Sequence, residues 1–229
     1  MVIAGSGLIG NSVAYHLVAD KGWKDVVIID KGNIADGNSK HSSGMLGLFR
    51  PQHEREIVQY CIRLYRQLQQ KGFDIGLQEC GSLNLANRKD RLLSLERRAN
   101  RYRPTGLECH VLTPKECKDK HPHLYIDDLQ GGVWVPEDAV VHPKKVSEAL
   151  AYLAYTGGAK FVGNCEVARV NTYNSTKYAT GSSRNITVES VDTSLGRIEC
   201  EYFVNCAGEI NIKYGLLRER ERVMRIFCH

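Results

Sequence analysis

The 229-residue chain is 42% hydrophobic and 25% charged, with a mild formal net charge of +5 from scattered Lys and Arg. That composition fits a globular protein of one large or two small domains with a sizeable core. No apolar run reaches the roughly 18 residues of a membrane span, and no basic stripe with interleaved aromatics marks a nucleic-acid groove, so neither a membrane span nor a nucleic-acid partner is expected.

The chain opens on Val2-Ile3-Ala4, followed by Gly5-Ser6-Gly7-Leu8-Ile9-Gly10 and a segment of helical period with Ile9, Val13 and Leu17 on one face. The next apolar run, Val26 to Ile29, ends in Asp30. Strand, glycine turn, helix, strand and acid in this order make a dinucleotide-binding βαβ unit. Gly5 permits the tight turn, Gly7 lets a diphosphate approach the backbone, Gly10 allows close helix–strand packing, and the helix N-terminus offers N–H groups to the phosphates. Asp30 stands where a carboxylate accepts a ribose hydroxyl. A glycine-rich βα turn without a ligand is the alternative. The start of the chain on a strand leaves no room for a signal or transit peptide, so the protein is expected either to be cytosolic or to lack its targeting segment here.

After Asp30 a polar stretch, Lys31 to Gly47, is too long for a simple connection and too polar for core, and such loops either touch a ligand or are disordered. The spacing predicts a helix with Ile57, Cys61, Leu64, Tyr65 and Leu68 inward, ending near Gly72. A strand over Gly81–Ala86, a charged helix over Lys89–Tyr102 with Leu92, Leu95 and Ala99 inward, a helix start at Thr113-Pro114-Lys115-Glu116 and a strand over Gly131–Val135 follow. This block breaks the βα rhythm and reads as an insert. The rhythm resumes with a helix over Pro143–Tyr155 carrying Val146, Ala149, Leu150 and Leu153 inward. A strand region spans Lys160–Asn171, and Tyr173–Arg184 reads as a polar hairpin or loop. Paired strands over Ile186–Val191 and Arg197–Glu201 precede a buried strand, Tyr202–Asn205, that runs into Cys206-Ala207-Gly208 at the ligand-binding edge of the sheet. The alternating charge of Leu216–His229 suggests a solvated helix.

None of the eight cysteines forms a CxxC pair, and mostly buried, reduced thiols are expected. His121-Pro122-His123 reads as a turn, since no second pair completes a metal site. Asn174-Ser175-Thr176 and Asn185-Ile186-Thr187 match the glycosylation pattern, and without a secretory signal they are expected to be chance matches.

The βαβ unit alone leaves NAD and FAD open. With the His41-bearing loop, the insert and the Val-Asn-Cys-Ala-Gly turn, the chain from Val2 to about Gly215 resembles the FAD-dependent oxidoreductases that include D-amino-acid oxidase. Gly22-Trp23-Lys24-Asp25-Val26-Val27, Gly81-Ser82-Leu83, Val135 to Val141 and Ile198 to Gly208 look like the mitochondrial branch. That branch comprises dimethylglycine dehydrogenase, sarcosine dehydrogenase and the pyruvate dehydrogenase phosphatase regulatory subunit, and the last two runs look most like the regulatory subunit. The resemblance implies an α/β fold, a Rossmann-like FAD-binding sheet with an inserted, incomplete α+β substrate domain. Residues 1–79 and 143–215 would form the FAD-binding domain, 80–142 the insert and 216–229 a divergent tail.

It also implies the site. The cofactor would meet Gly5, Gly7, Leu8, Ile9 and Gly10 at the helix start, and Asp30 and Lys31 at the ribose. Gly37, Asn38, Ser39, Lys40, His41, Ser42, Ser43, Gly44 and Met45 would lie along the flavin, Val167 on the adenine side, and Ala207 and Gly208 against the cofactor. His41-Ser42-Ser43-Gly44 matches the attachment point of the covalent flavin in the two dehydrogenases, whereas the regulatory subunit lacks that histidine. A histidine that hydrogen-bonds the cofactor or water is the alternative. Arg50 would bind a substrate carboxylate or else form a surface ion pair; no residue is assigned as catalytic base. The implied function is oxidation of an N-methylated amino acid, such as dimethylglycine or sarcosine, by hydride transfer to FAD in the mitochondrial matrix. Two alternatives stand: a non-enzymatic regulatory subunit bound to a phosphatase catalytic subunit, and an NAD-dependent dehydrogenase. Further substrate domain and a last strand are expected beyond the Ala-Gly turn, so the chain reads as shortened.

Overall fold

The computed structural model describes residues 1–175, 185–208 and 224–225. In chain order, β1 (Val2–Ala4) leads through the glycine turn to α1 (Leu8–Tyr15), which continues as a π-helical turn, His16–Asp20, before β2 (Val27–Ile29). A short helical turn, Asn38–His41, precedes β3 (Met45–Leu46) and α2 (Gln52–Gln70). Then come β4 (Ser82–Ala86), α3 (Lys89–Tyr102), β5 (His110–Leu112), α4 (Pro114–Lys120), β6 (Gly131–Val135) and β7 (Ala139–Val140). The chain closes with α5 (Pro143–Thr156), β8 (Lys160–Val162), β9 (Val167–Ser175), β10 (Asn185–Thr193), β11 (Gly196–Glu199), β12 (Phe203–Asn205) and β13 (Met224–Arg225).

The chain divides into two units, residues 1–42 with 143–229, and residues 43–142. The first holds a parallel sheet of order β13-β12-β1-β2-β8 and an antiparallel sheet β11-β10-β9. In the parallel sheet, β1 and β2 are short and apolar on both faces, as parallel strands between covering layers must be: Val2, Ile3, Ala4 and Ile29 are at most 2% exposed. Val2, Ala4 and Ile29 share one core with Val167, Val170 and Val191 from the antiparallel sheet and with Cys165 just before it.

The second unit sets the antiparallel sheet β4-β6-β5 beside α3, around Leu48, Phe49, Ile62, Leu95, Val133 and Val135. The unit begins at Ser43, with Leu48, Phe49 and Ile62 burying their apolar surface in this core. α4 begins with the expected capping box, Thr113 Oγ1 accepting the Glu116 N–H while the Glu116 carboxylate accepts the Thr113 N–H.

Three expectations are corrected. On α2, Ile57 is 67% exposed and Arg55, at 2%, points inward. Its Nη2 donates to the Thr105 carbonyl and hydroxyl, and its guanidinium lies 6.0 Å from the Tyr102 ring, which turns the buried face toward Arg55, Ile62, Tyr65 and Leu68. On α1, Gly10, Asn11, Ala14 and Tyr15 are the buried residues, while Ile9, Val13 and Leu17 are half-buried. In the tail, Met224–Arg225 pairs in parallel with β12, so these two residues extend the sheet instead of forming a solvated helix. The rest of the predicted tail helix, Cys228, and most of the Tyr173–Arg184 hairpin lie outside the described residues, and both glycosylation matches border or enter that segment.

Candidate functional site

The glycine turn is laced between strands. The Gly5 N–H donates to the Ile29 carbonyl at 2.8 Å, and the Cys206 N–H donates to the Ala4 carbonyl at 2.7 Å. Gly5 has φ +102, and a Cβ there would stand 2.4 Å from the Cys206 carbonyl oxygen. A Cβ at Gly10 would stand 1.9 Å from the Gly5 carbonyl oxygen, so that oxygen can pack on the helix only because Gly10 has no side chain. Gly7 is the N-cap, extended and without a side-chain cap of its own. Its N–H has no partner among the described residues, and the next amide, Leu8 N–H, donates to Ser39 Oγ at 2.8 Å.

Asp30 turns back onto this turn. Its Oδ2 accepts the Ser6 N–H at 2.6 Å and its Oδ1 accepts the Gly32 N–H at 2.8 Å. Each carboxylate oxygen keeps acceptor capacity beyond that bond. The Asp30 carbonyl accepts the Cys165 N–H at 2.8 Å, which draws the segment before Val167 alongside. Val167 itself is 6% exposed, its side chain committed to the core. Lys31 is exposed. Ala207 closes on the turn, its Cα 3.0 Å from the position of a Gly5 Cβ, while a Cβ added at Gly208, with φ +68, would meet no described atom within 4 Å.

The loop from Gly37 to Ser43 is exposed except at Ser39, which is half-buried against α1. A Lys40–Asp36 ion pair of 2.8 Å spans its first turn and holds the Asp36 carboxyl below the usual range, the Lys40 hydrogen bond being the main cause. Asn38, His41 and Ser42 are exposed, and the His41 side chain makes no hydrogen bond or ion pair among the described residues. Ser43, Gly44 and Met45 belong to the second unit. There the buried Gly44 carbonyl accepts the Val141 N–H at 3.0 Å, and Met45 is 72% exposed. Arg50 is exposed, its Nε donating to the Gly47 carbonyl at 3.1 Å and its Nη1 3.5 Å from Glu54.

Two polar groups escaped the sequence reading. Asn11, fully buried, donates to the Ser6 carbonyl at 3.0 Å and to Ser147 Oγ at 2.9 Å, and accepts from Ser6 Oγ at 3.1 Å, which ties the glycine turn to α5. The only trace in sequence is a polar residue at a core-facing phase of α1. In the second unit, Asp138 is 4% exposed and accepts from the Leu48 N–H at 2.6 Å and from Ser82 Oγ. Burial pushes its carboxyl up, against the lowering effect of those two bonds.

Three features fit an adenine dinucleotide: a backbone no Cβ would permit, a helix tip with amide donors, and a carboxylate held at the end of β2. The cavity of about 460 Å³ in the first unit lies elsewhere, lined by Ile28, Ile34, Ala151, Tyr152, Tyr155 and Phe161 among others, and no expected cofactor contact borders it. A diphosphate needs convergent amide donors, which the apolar lining lacks, so the glycine turn remains the candidate. Of the described cysteines, Cys109, Cys117 and Cys165 are buried but Cys80 is exposed, so the thiols are less uniformly buried than expected. Among the described residues no three His, Cys, Asp or Glu gather as a metal site needs, and no helix is long and apolar enough to cross a membrane.

A family model described as FAD dependent oxidoreductase matches residues 1–222. Over 221 residues the chain is 38% identical to the mitochondrial pyruvate dehydrogenase phosphatase regulatory subunit of Mus musculus, covering 96% of this chain and 24% of that protein. It is 31% identical over 211 residues to mitochondrial sarcosine dehydrogenase of Homo sapiens, covering 91% of this chain and 22% of that protein. Among solved structures, glycine oxidase from Bacillus cereus superposes with a TM-score of 0.75 at 30% identity, covering 90% of this chain and 54% of that one. L-proline dehydrogenase from P. horikoshii, at 22% identity, has a TM-score of 0.82 over 95% of this chain and 56% of that one, a likeness of fold. The chain spans under a quarter of the length of these curated relatives and just over half of these solved chains.

Proposed function

The chain belongs to the FAD-dependent oxidoreductase family, and from that premise we propose that it binds FAD and serves the oxidation of an N-methylated amino acid of the sarcosine or dimethylglycine type. The observation that carries the reading is Asp30, whose carboxylate holds the Ser6 amide of the glycine turn at 2.6 Å and so stands at the helix tip with oxygens to spare. The amides of Gly7 and Leu8 would take the diphosphate, and the Ser39 hydroxyl now on Leu8 would pass to a phosphate oxygen. Asp30 would accept the ribose hydroxyls, with Lys31 beside it. Residues Gly37 to Met45 would run along the flavin, with Val167 on the adenine side and Ala207 and Gly208 against the cofactor.

FAD, when bound, supplies a hydride acceptor for the C–H bond beside the amine nitrogen. The protein's part is to hold that bond in place and exclude water. His41, exposed and with no side-chain hydrogen bond among the described residues, is the candidate for covalent attachment. Arg50 would receive the substrate carboxylate by leaving Glu54, and since exposed pairs of this kind are worth at most about 1 kcal/mol, the exchange costs little.

A second reading is favoured by the 38% identity to a phosphatase regulatory subunit: the same FAD-binding fold used as a scaffold for a phosphatase catalytic subunit. Both relatives are mitochondrial proteins, which supports a mitochondrial location for either reading, with the matrix as the proposed compartment. Purified protein precipitated in acid distinguishes them in part. Yellow fluorescence kept in the pellet supports a His41-linked flavin, colour released to the supernatant supports non-covalent FAD, and a colourless preparation that takes up no added FAD overturns the cofactor reading. Dye reduction with sarcosine or dimethylglycine then supports the enzyme, and its absence in flavin-loaded full-length protein supports the scaffold.

A further inference from the structure

The net charge is not scattered after all. Between Arg88 and Arg103, on α3 and the turn after it, seven basic side chains face two acidic ones, which accounts for the chain's entire net charge of +5. Six of the seven are arginine. Only Arg88 has an ion-pair partner among the described residues, Asp90 at 3.3 Å. Arg97 and Arg101 are exposed one helical turn apart, a like-charge pair that weakens a helix instead of supporting it. Arg98 and Arg103 bond only neutral acceptors: Arg98 Nη2 donates to the Phe49 carbonyl at 3.1 Å, Arg103 Nε to the Cys109 carbonyl at 2.9 Å and Arg103 Nη1 to Asn100 at 3.1 Å. Beneath them lies the buried Arg55, whose Nη1 finds no partner and whose guanidinium, like that of Arg98, sits about 6 Å from the Tyr102 ring. One turn before Arg97, Leu93 is 45% exposed on the same line.

We propose that this arginine face of α3 docks an acidic, Asp/Glu-rich segment of a partner protein. Guanidinium is the cation suited to the task, being planar, weakly hydrated and able to grip a carboxylate with two N–H groups. Leu93 gives the face one apolar contact between its charges. The two aromatic rings of the cluster, Phe49 and Tyr102, are buried and stacked on by arginine, which leaves no exposed ring on which a nucleic-acid base could stack. A membrane-surface helix would expose an apolar stripe, but Leu95, Ala99 and Tyr102 all turn into the core. The proposal rests on neither reading of the cofactor site.

The test is fluorescence anisotropy of labelled decaglutamate titrated with the full chain. Binding is expected to weaken steeply as salt rises, because the contacts are exposed and screened. The double variant R97Q/R101Q is expected to bind about tenfold more weakly, with a thermal midpoint no lower than the parent's, and L93A is expected to weaken binding without altering its salt dependence. K21Q/K24Q, which removes two exposed charges elsewhere, is the control. No binding, equal losses in the control and the double variant, or tighter binding to oligouridine or to phosphatidylserine-containing vesicles than to decaglutamate overturns the proposal.

Discussion

Gly10 shows how little tolerance the candidate site has. An added methyl would meet the Gly5 carbonyl at 1.9 Å, and neither backbone can yield without parting α1 from β1. Overpacking of this kind costs about 1–3 kcal/mol. G10A is therefore expected to lower the denaturant midpoint and to abolish FAD binding, measured by flavin fluorescence quenching. Ser39 acts differently. Its hydroxyl caps the first free amide of α1 in the flavin-free protein, so S39A should cost that protein about 1 kcal/mol in urea unfolding. An unchanged midpoint would show that the Leu8 amide does not depend on this cap.

At the scale of elements, the short strand β3 and the turn before β7 are joined through one buried carboxylate. Asp138 takes the Leu48 amide just after β3 and the Ser82 hydroxyl at the start of β4. Burial raises its folded pKa above the unfolded value, so between those two values the folded state holds the proton that the unfolded state has released. This contribution is full below the ordinary carboxylate range and is lost as pH rises through the raised value. D138N can still accept from Leu48 while carrying no charge. Its unfolding free energy, followed from pH 4 upward by urea titration, is expected to lack the decline that the parent shows. An equal decline in both proteins would mean that another group carries it.

For the whole molecule, two units with separate cores predict an uneven response to ligand. The expected FAD contacts of the helix tip and of Asp30 all lie in the first unit. At free FAD near a hundred times its dissociation constant, linkage adds about 2.7 kcal/mol, or about 5–10 °C for a chain of this size. Hydrogen exchange should show protection rising in residues 2–30 and much less in α3. Equal protection throughout, or none, would count against the glycine turn as the binding point.

The opening βαβ unit was legible in the chain because its requirements are local. Glycine spacing, an apolar strand on either side and an acid at the end of the second are backbone demands that few other residues meet, and the capping box at Thr113 is read in the same way. Tertiary structure decided what depends on distant partners. Arg55 displaced Ile57 from the core because Tyr102 and Thr105, some fifty residues on, offered its guanidinium a ring and two acceptors. The second unit began at Ser43 because Phe49 and Ile62 found their apolar company in Leu95 and Val133. Periodicity records that a residue can be buried; only the folded neighbours determine against what.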